Sequence, residues 1–138
     1  MLNLKYLALS QRLKCEQSLT MQEIERKFLV NKEAWIKQVK TICVHISQAY
    51  LHNSKDQTTR LRLRDDKAYL TVKGPTLGLT RSEYEYEIPF QDAEQMILDF
   101  KLKVLTKRRY LIDYASKTWE VDVFEGELKG LVIAEIEL

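Results

Sequence analysis

The chain has 138 residues, of which 22 are basic and 20 acidic, so its formal net charge is only +2. Hydrophobic residues make up 45% and charged residues 30%, which is typical of one globular domain and excludes an extended disordered chain. A nucleic-acid-binding surface needs basic residues without matching acids, and a membrane-spanning helix needs about 20 consecutive apolar residues. The sequence therefore predicts neither a nucleic-acid partner nor a membrane segment.

The first 20 residues differ in pattern from the rest of the chain. Their apolar positions are interrupted by basic residues, which excludes the apolar core of a signal peptide. We interpret 1–20 as an N-terminal leader or short helix and 21–138 as the folded domain. Cys15 and Cys43 form neither a metal-binding spacing nor a disulfide framework. Two reduced thiols are typical of a cytoplasmic protein.

From Glu23 onward, polar and apolar residues alternate, which predicts β-strands. We place eight strands at 22–30, 44–51, 58–65, 68–73, 81–89, 104–114, 118–125 and 131–138. Helices are predicted at about 32–41, with Asn31 as N-cap, and at about 91–101. Eight strands joined mostly by short turns favour a sheet that closes on itself and leaves no exposed edge. The predicted fold class is α+β but mainly β, an eight-stranded antiparallel closed β-barrel, or tunnel, with a few flanking helices.

Charged residues recur at alternate positions of the predicted strands and therefore share one face of each strand. The sets, in chain order, are Glu23, Glu25 and Lys27; Arg60, Arg62 and Arg64; Tyr69, Thr71 and Lys73; Arg81, Glu83, Glu85 and Glu87; Lys107 and Arg109; Glu120 and Asp122; and Glu135 and Glu137. One such strand is usually just the solvated side of an antiparallel sheet. Alternation alone does not say which face points inward.

The three arginines of the third predicted strand stand about 7 Å apart along it. Inside a barrel, at an effective dielectric constant of about 20, each neighbouring pair would cost roughly 2.4 kcal/mol. Arg60, Arg62 and Arg64 would then need an anion or nearby carboxylates to neutralise them. The sequence offers both signs of charge, as expected of a lumen that holds a polyanion together with metal ions.

A triphosphate is the kind of ligand that such a lumen would bind. Arginine binds phosphate oxygens through two parallel hydrogen bonds, and lysine supplies a compact charge. Clustered carboxylates would repel the substrate unless they hold Mg²⁺ or Mn²⁺, which prefer oxygen ligands. Phosphoryl transfer then depends on positioning and charge neutralisation. The sequence contains no Ser-His-Asp or Cys-His arrangement and no Walker phosphate loop.

The order of these motifs resembles the CYTH domain, or triphosphate tunnel metalloenzyme, family. The run from Glu23 to Lys27 resembles the Glu-x-Glu-x-Lys signature that opens these domains. The later strands of the family are matched by the runs 48–51, 60–64, 69–73, 81–85, 107–110, 120–126 and 135–137. The resemblance covers 22–138 and is greatest to the short bacterial members that act on inorganic tripolyphosphate.

The resemblance implies a divalent-metal-dependent triphosphatase that uses Mg²⁺ or Mn²⁺ and acts on a small-molecule triphosphate. The sequence is compatible with a homodimer but does not give the oligomeric state. Phosphate binding would fall to Lys27, Arg60, Arg62, Lys73, Lys107 and Arg109. Metal ligands would be Glu23, Glu25, Glu83, Glu85, Asp122, Glu135 and Glu137. The catalytic set would be Glu23, Glu25, Lys27, Lys107 and Glu137.

Some assignments stay open at this point. Arg64 and Arg81 fit either the rim of the tunnel or its outer surface, and Tyr50 fits either the lumen or the core. Lys55, in the polar turn after the second strand, is expected to act on a ligand through long-range attraction alone. Family members usually continue into a C-terminal helical segment, which this sequence lacks after Leu138.

Other functions are compatible with the same pattern. An adenylate cyclase or a thiamine triphosphatase could use the same scaffold, although each needs a pocket for an organic base. A polyphosphate-binding or nucleotide-binding module without turnover is a second alternative. A purely structural barrel with solvated charges is a third, and it leaves the alternation of charges unexplained.

Overall fold

A computed structural model of the protein describes residues 4–6, 25–38, 42–78 and 80–137. These residues form nine strands and two helices, together with a short 3₁₀ turn at Gly126–Leu128. The strands are β1 (Leu4–Tyr6), β2 (Glu25–Val30), β3 (Ile42–Asn53), β4 (Thr58–Arg64), β5 (Lys67–Lys73), β6 (Glu83–Ile88), β7 (Val104–Tyr114), β8 (Lys117–Phe124) and β9 (Val132–Glu137). The helices are α1 (Lys32–Lys37) and α2 (Phe90–Asp99).

All eight predicted strands and both predicted helices are confirmed, because each overlaps an observed element of the same type. The first helix is shorter than predicted. Asn31 caps its start by accepting a hydrogen bond from the Ala34 backbone N–H at 3.1 Å. Its end comes at Lys37, since Gln38 already has an extended backbone. The leader over 1–20 stays a prediction, because only its residues 4–6, a short strand, are among those described.

The sheet is antiparallel throughout, with the strand order β1-β2-β9-β8-β7-β3-β4-β5-β6. The prediction of a closed barrel is wrong in one respect, because β6 has no hydrogen-bonded partner beyond β5 among the described residues. The added strand β1 occupies the free edge of β2, which closure would have required for pairing with β6. The sheet nevertheless curls, since Lys27 of β2 and Lys73 of β5 line one cavity.

The hydrophobic core lies on one face of the sheet, beneath the two helices. Trp35 of α1 packs with Val30, Val121 and Ala134, and its ring meets that of Tyr110 edge-on at 5.2 Å. A second cluster under α2 is formed by Leu61, Ala68 and Ala93. Because side chains alternate between the faces of a strand, the charged residues of the same strands are left to the opposite, inward-curling face.

No helix in the described ranges is long and apolar enough to cross a membrane.

Candidate functional site

The inward face of β2 and β9 carries a compact group of opposite charges. The register places Lys27 directly opposite Glu135 and Glu25 opposite Glu137. The Lys27 ammonium donates to the Glu135 carboxylate at 2.5 Å and lies 3.0 Å from that of Glu25. Two buried carboxylates therefore share one ammonium.

Asp122 of β8 organises the neighbouring part of this face. Its side chain is fully buried and accepts hydrogen bonds from Lys107 Nζ at 2.6 Å and from Arg109 Nε and Nη2 at 2.7 and 2.8 Å. Arg109 also lies 2.8 Å from Glu120 and 3.8 Å from Glu135. Such two-point contacts between a guanidinium and a carboxylate combine strength with fixed geometry. We call this set, Glu25, Lys27, Lys107, Arg109, Glu120, Asp122 and Glu135, the paired wall.

Burial and pairing shift the proton affinities of the paired wall in opposite directions. Burial, only partly offset by Asp122, lowers the pKa of Lys107 to about 8. Burial also opposes ionisation of Asp122 and Glu135, but the neighbouring cations outweigh it and lower the pKa of both carboxyls. For Arg109, burial is likewise outweighed, by Asp122, Glu120 and Glu135, and its pKa is raised. The two carboxylates therefore stay ionised at neutral pH.

A cavity of about 650 Å³ opens beside the paired wall, at the ends of β4 and β5. This volume lies within the usual range for small-molecule sites, about 300–1,000 Å³. Its cationic lining residues are Lys27, Lys55, Arg60, Lys73 and Arg81. Asp56 supplies the single carboxylate of the lining. Five cations and one carboxylate give the lining an excess of positive charge, which favours an anionic ligand.

The strands behind the cavity carry buried polar groups whose partners are less complete than those of the paired wall. Arg60 is 8% exposed, yet its Nε has no hydrogen-bond partner among the described residues. The buried Gln48 amide oxygen also lacks one within that part of the chain. Lys73 and Glu83 stand 3.8 Å apart, and Thr71 donates to Glu85 at 2.9 Å. We call Gln48, Arg60, Arg62, Thr71, Lys73, Glu83 and Glu85 the cavity wall.

An incompletely hydrogen-bonded buried guanidinium is costly, because burial removes water without supplying a replacement acceptor. A phosphate oxygen is the kind of acceptor that would offset this cost at Arg60. The cavity wall is therefore arranged to receive an anionic ligand, whereas the paired wall already satisfies its charges internally.

The predicted phosphate-binding residues divide between the two walls. The cavity is lined by Lys27, Arg60 and Lys73. Arg62 follows Arg60 on β4 and is half-buried, but it is not among the lining residues. Lys107 and Arg109 are engaged by Asp122. The curl of the sheet brings residues from β2, β4 and β5 to one cavity.

Five of the predicted metal ligands lie on the two walls, Glu137 lies at the end of β9 outside both, and Glu23 is outside the described residues. Glu25, Glu83, Asp122 and Glu135 are buried, whereas Glu85 and Glu137 are exposed. Carboxylate oxygens suit hard divalent cations, so the donor set fits Mg²⁺ or Mn²⁺ in its chemistry. No three such side chains within 4–6, 25–38, 42–78 and 80–137 are placed to hold a metal together. The buried carboxylates contact lysine and arginine instead.

The cavity lining includes three residues outside the predicted phosphate-binding set, two of which were left open on sequence grounds. Arg81 and Tyr50 both line the cavity, so Arg81 belongs to the site's rim and Tyr50 faces the lumen. Lys55 also lines it, and the expectation that Lys55 acts on a ligand through long-range attraction alone stays a prediction. Lys55 lies in the turn after β3, where alternation gives no signal. Arg81 begins the alternating set of the predicted strand 81–89 and lies just before β6.

Comparisons with known proteins identify the family of the chain. The family described as CYTH domain matches residues 21–138. A protein of Acetivibrio thermocellus named inorganic triphosphatase is 47% identical over 118 residues, which cover 84% of this chain and 74% of that protein. A Nitrosomonas europaea protein with the same name is 35% identical over 121 residues, covering 85% of this chain and 76% of that protein.

A likeness to solved structures extends the comparison to the fold. The crystal structure of an inorganic triphosphatase superimposes with a TM-score of 0.61 at 30% sequence identity. The match covers 84% of this chain and 73% of that one.

Proposed function

Because the chain belongs to the CYTH domain family, we propose that it is a triphosphatase that hydrolyses inorganic tripolyphosphate between its two charged walls. Two relatives that are 47% and 35% identical carry the name inorganic triphosphatase. The reaction is the attack of water on a phosphorus atom, which breaks one P–O–P bridge and releases phosphate and diphosphate. Such a transfer needs positioning and charge neutralisation more than covalent catalysis.

The observation that carries the proposal is the cavity with its five cations and one carboxylate. Arg60 and Lys73 approach from the cavity wall, and Lys27 from the paired wall. These three side chains would bind and orient adjacent phosphoryl groups, with Arg62 extending the same strand. Because Arg60 has an unsatisfied buried Nε–H, a phosphate oxygen there gains a hydrogen bond without displacing a protein partner.

The proposed enzyme depends on a divalent cation, and we assign it Mg²⁺ or Mn²⁺ on the chemistry of its carboxylates. The predicted ligands Glu25, Glu135 and Glu137 lie on the adjacent strands β2 and β9. Their side chains would have to move together to hold the cation, because no three carboxylates in the described part of the chain are placed to do so in this structure. Glu23, Glu83, Glu85 and Asp122 are the remaining candidate ligands. When bound, a divalent cation neutralises phosphate charge and lowers the pKa of a coordinated water.

The residues of the chain itself supply the rest of the chemistry in this proposal. Lys27 contacts the carboxylates of Glu25 and Glu135 and also lines the cavity. Its ammonium can therefore neutralise either these carboxylates or a phosphate group in the cavity. Lys107 and Arg109 hold Asp122 in a single orientation through three hydrogen bonds. The paired wall thereby keeps its carboxylates ionised and fixed next to the site of reaction.

The free, exposed thiol of Cys43 is compatible with a reducing compartment, and we place the enzyme in the cytoplasm.

The proposal is tested by phosphate release from tripolyphosphate, ATP and thiamine triphosphate, each with Mg²⁺, Mn²⁺ or EDTA. We expect release from tripolyphosphate with either metal and none with EDTA. Faster release from ATP or thiamine triphosphate would move the assignment to a nucleotide or thiamine substrate. Calorimetric binding of tripolyphosphate without any metal-stimulated release would instead identify a binding module.

A further inference from the structure

The mouth of the cavity is formed by two turns that the proposed phosphate-binding set does not include. One is the β3–β4 turn, whose Lys55 lines the cavity. The other is the β5–β6 connection, whose Pro75 and Thr76 also line it. The two turns come from neighbouring hairpins, so their separation depends on how the β5–β6 connection is held.

The β5–β6 connection is a narrow loop with its own hydrogen bonds. Gly74 N–H donates to the Ser82 carbonyl at 3.0 Å and closes its base. Leu77 and Thr80 exchange backbone bonds at 2.9 and 3.1 Å nearer its tip. These bonds fix the width of the loop but not its angle to β4, because neither involves a residue of β4.

Arg81 supplies the link to β4. Its Nε donates to the Gly74 carbonyl at 2.7 Å, and its Nη2 donates to the Thr58 hydroxyl at 3.0 Å. Thr58 is the first residue of β4, two positions before Arg60. A guanidinium can make both bonds at once because its donors form a rigid planar fork, and a lysine ammonium cannot reproduce that geometry.

We infer that Arg81 is a positioning residue for the triphosphate site, acting through the β5–β6 loop and Thr58 and not on the reacting atoms. By joining Gly74 to Thr58, it holds Pro75 and Thr76 at a fixed distance from Arg60. The site that receives the substrate is thereby assembled before binding, which lowers the ordering cost that binding would otherwise carry. The inference rests on the proposed function, since it deepens the description of that same site.

The main test compares Arg81→Gln, Arg81→Lys, Thr58→Val and the Arg81→Gln/Thr58→Val double variant in tripolyphosphate hydrolysis. We expect Arg81→Gln to raise KM about tenfold, the change that corresponds to 1.4 kcal/mol of lost interaction, with kcat within about twofold. Arg81→Lys keeps the charge and one bond, so its KM should fall between those of the wild type and Arg81→Gln. Because Thr58 acts through Arg81, the double variant should be no worse than Arg81→Gln alone.

Lys55→Gln provides a matched control, because Lys55 lines the same mouth but makes no hydrogen bond or ion pair in the part of the chain that the structure describes. Its loss removes one positive charge, so its effect on KM should disappear at high salt. The effect of Arg81→Gln should persist. If both effects vanish together with salt, or if Thr58→Val and Arg81→Gln are additive, Arg81 acts as a charge and the inference is overturned.

Two further measurements separate this inference from the proposed function. Calorimetric titration with tripolyphosphate reports affinity even if no turnover occurs, and Arg81→Gln should weaken binding by the same factor. Amide hydrogen exchange should become faster at Leu77 and Thr80 in Arg81→Gln, while amides of the α1 cluster stay unchanged. Unaltered exchange in the loop combined with unaltered affinity would refute the positioning role, whatever the enzyme hydrolyses.

Discussion

The two walls of the lumen both bury charged residues, but they differ in how completely these residues are hydrogen-bonded within the protein. On the paired wall, Asp122 is fully buried and takes three hydrogen bonds from Lys107 and Arg109. On the cavity wall, Arg60 is almost as deeply buried, and one of its donors has no partner within the described ranges. The paired wall therefore contributes to a stable fold in the absence of ligand, and the cavity wall keeps interaction capacity for a ligand.

The difference follows from which strands are neighbours. Along β2, β9, β8 and β7, basic and acidic strands lie side by side, as with Lys27 opposite Glu135 and Arg109 opposite Asp122. Along β3, β4 and β5, Arg60 faces Tyr50 on one side and Thr71 on the other. None of β3, β4 and β5 carries a carboxylate, and the next strand that does is β6, on the far side of β5 from Arg60. The strand order thus leaves Arg60 without a carboxylate directly opposite it on either neighbouring strand.

The largest expected effect is on the paired wall, in Asp122→Asn. The change is nearly isosteric but leaves Lys107 and Arg109 buried without their shared carboxylate. Removing one partner of a buried ion pair typically costs about 3–5 kcal/mol, and we expect the free energy of unfolding in urea to fall by that amount. Asp113→Asn on the same sheet is the control, since Asp113 is exposed and accepts one bond from Thr118. Similar losses in both variants would remove the distinction between the walls.

The next largest effect is expected on the cavity wall, in Arg60→Ala, and on binding instead of stability. Losing a charge-assisted bond to phosphate costs about 1.5–3 kcal/mol, or roughly ten- to over a hundredfold in affinity. The free energy of unfolding should stay unchanged or increase, because a buried charge with an unsatisfied donor is removed. Calorimetric titration with tripolyphosphate measures the first effect, and urea unfolding measures the second.

Arg64→Ala is the matched control for Arg60→Ala. Arg64 lies on the same strand and the same face, but it is exposed at the strand's end. We expect less than a threefold loss of affinity, further reduced by salt. Equal losses for Arg60 and Arg64 would mean that the arginines of β4 act through their general field and not through a defined contact.

A pH effect of intermediate size is expected from Lys107, whose pKa is lowered from 10.5 to about 8. Between these values the unfolded chain binds a proton that the folded protein has released, so stability increases with pH. Below pH 8 the cost of the buried charge is fully present. At 1.36 kcal/mol per pKa unit, the wild type should gain about 1–3 kcal/mol relative to Lys107→Met between pH 7.5 and 10. Parallel urea curves for the two proteins would contradict this.

Much of the fold could be predicted from sequence because period-two alternation is a local signal. The same signal located the charged face of β2, β4, β7 and β9. The assignment of that face to the interior agrees with the burial of Glu25, Arg60, Lys107 and Glu135. Strand pairing is not a local signal. Lys27 and Glu135 are 108 positions apart, so their contact could be anticipated only through a resemblance to a known fold.

The parts that sequence analysis missed lie where alternation is absent or too short. The strand β1 has three residues, which is too few to show a period inside the leader. That strand nevertheless takes up the edge of β2 that closure of the barrel would have used. Lys55 reaches the cavity from a turn. Arg81 was left open between rim and surface, because its position just before β6 depends on contacts such as that with Thr58.

The smallest expected effect also lies on the paired wall, in Glu120→Gln, and it tests whether burial or contact distance separates strong pairs from weak ones. Glu120 lies 2.8 Å from Arg109, as close as Asp122 does, but its side chain is 43% exposed. Exposed ion pairs contribute at most about 1 kcal/mol, because water screens the charges and the side chains lose freedom. Arg109 also keeps both bonds to Asp122 in this variant. We therefore expect a loss of unfolding free energy below about 1 kcal/mol that shrinks as salt is raised. If Glu120→Gln is as destabilising as Asp122→Asn, the distance between the charged atoms and not their burial determines how much an ion pair stabilises the fold. The low exposure of Arg60 would then no longer be a reason to expect a different effect from that of Arg64.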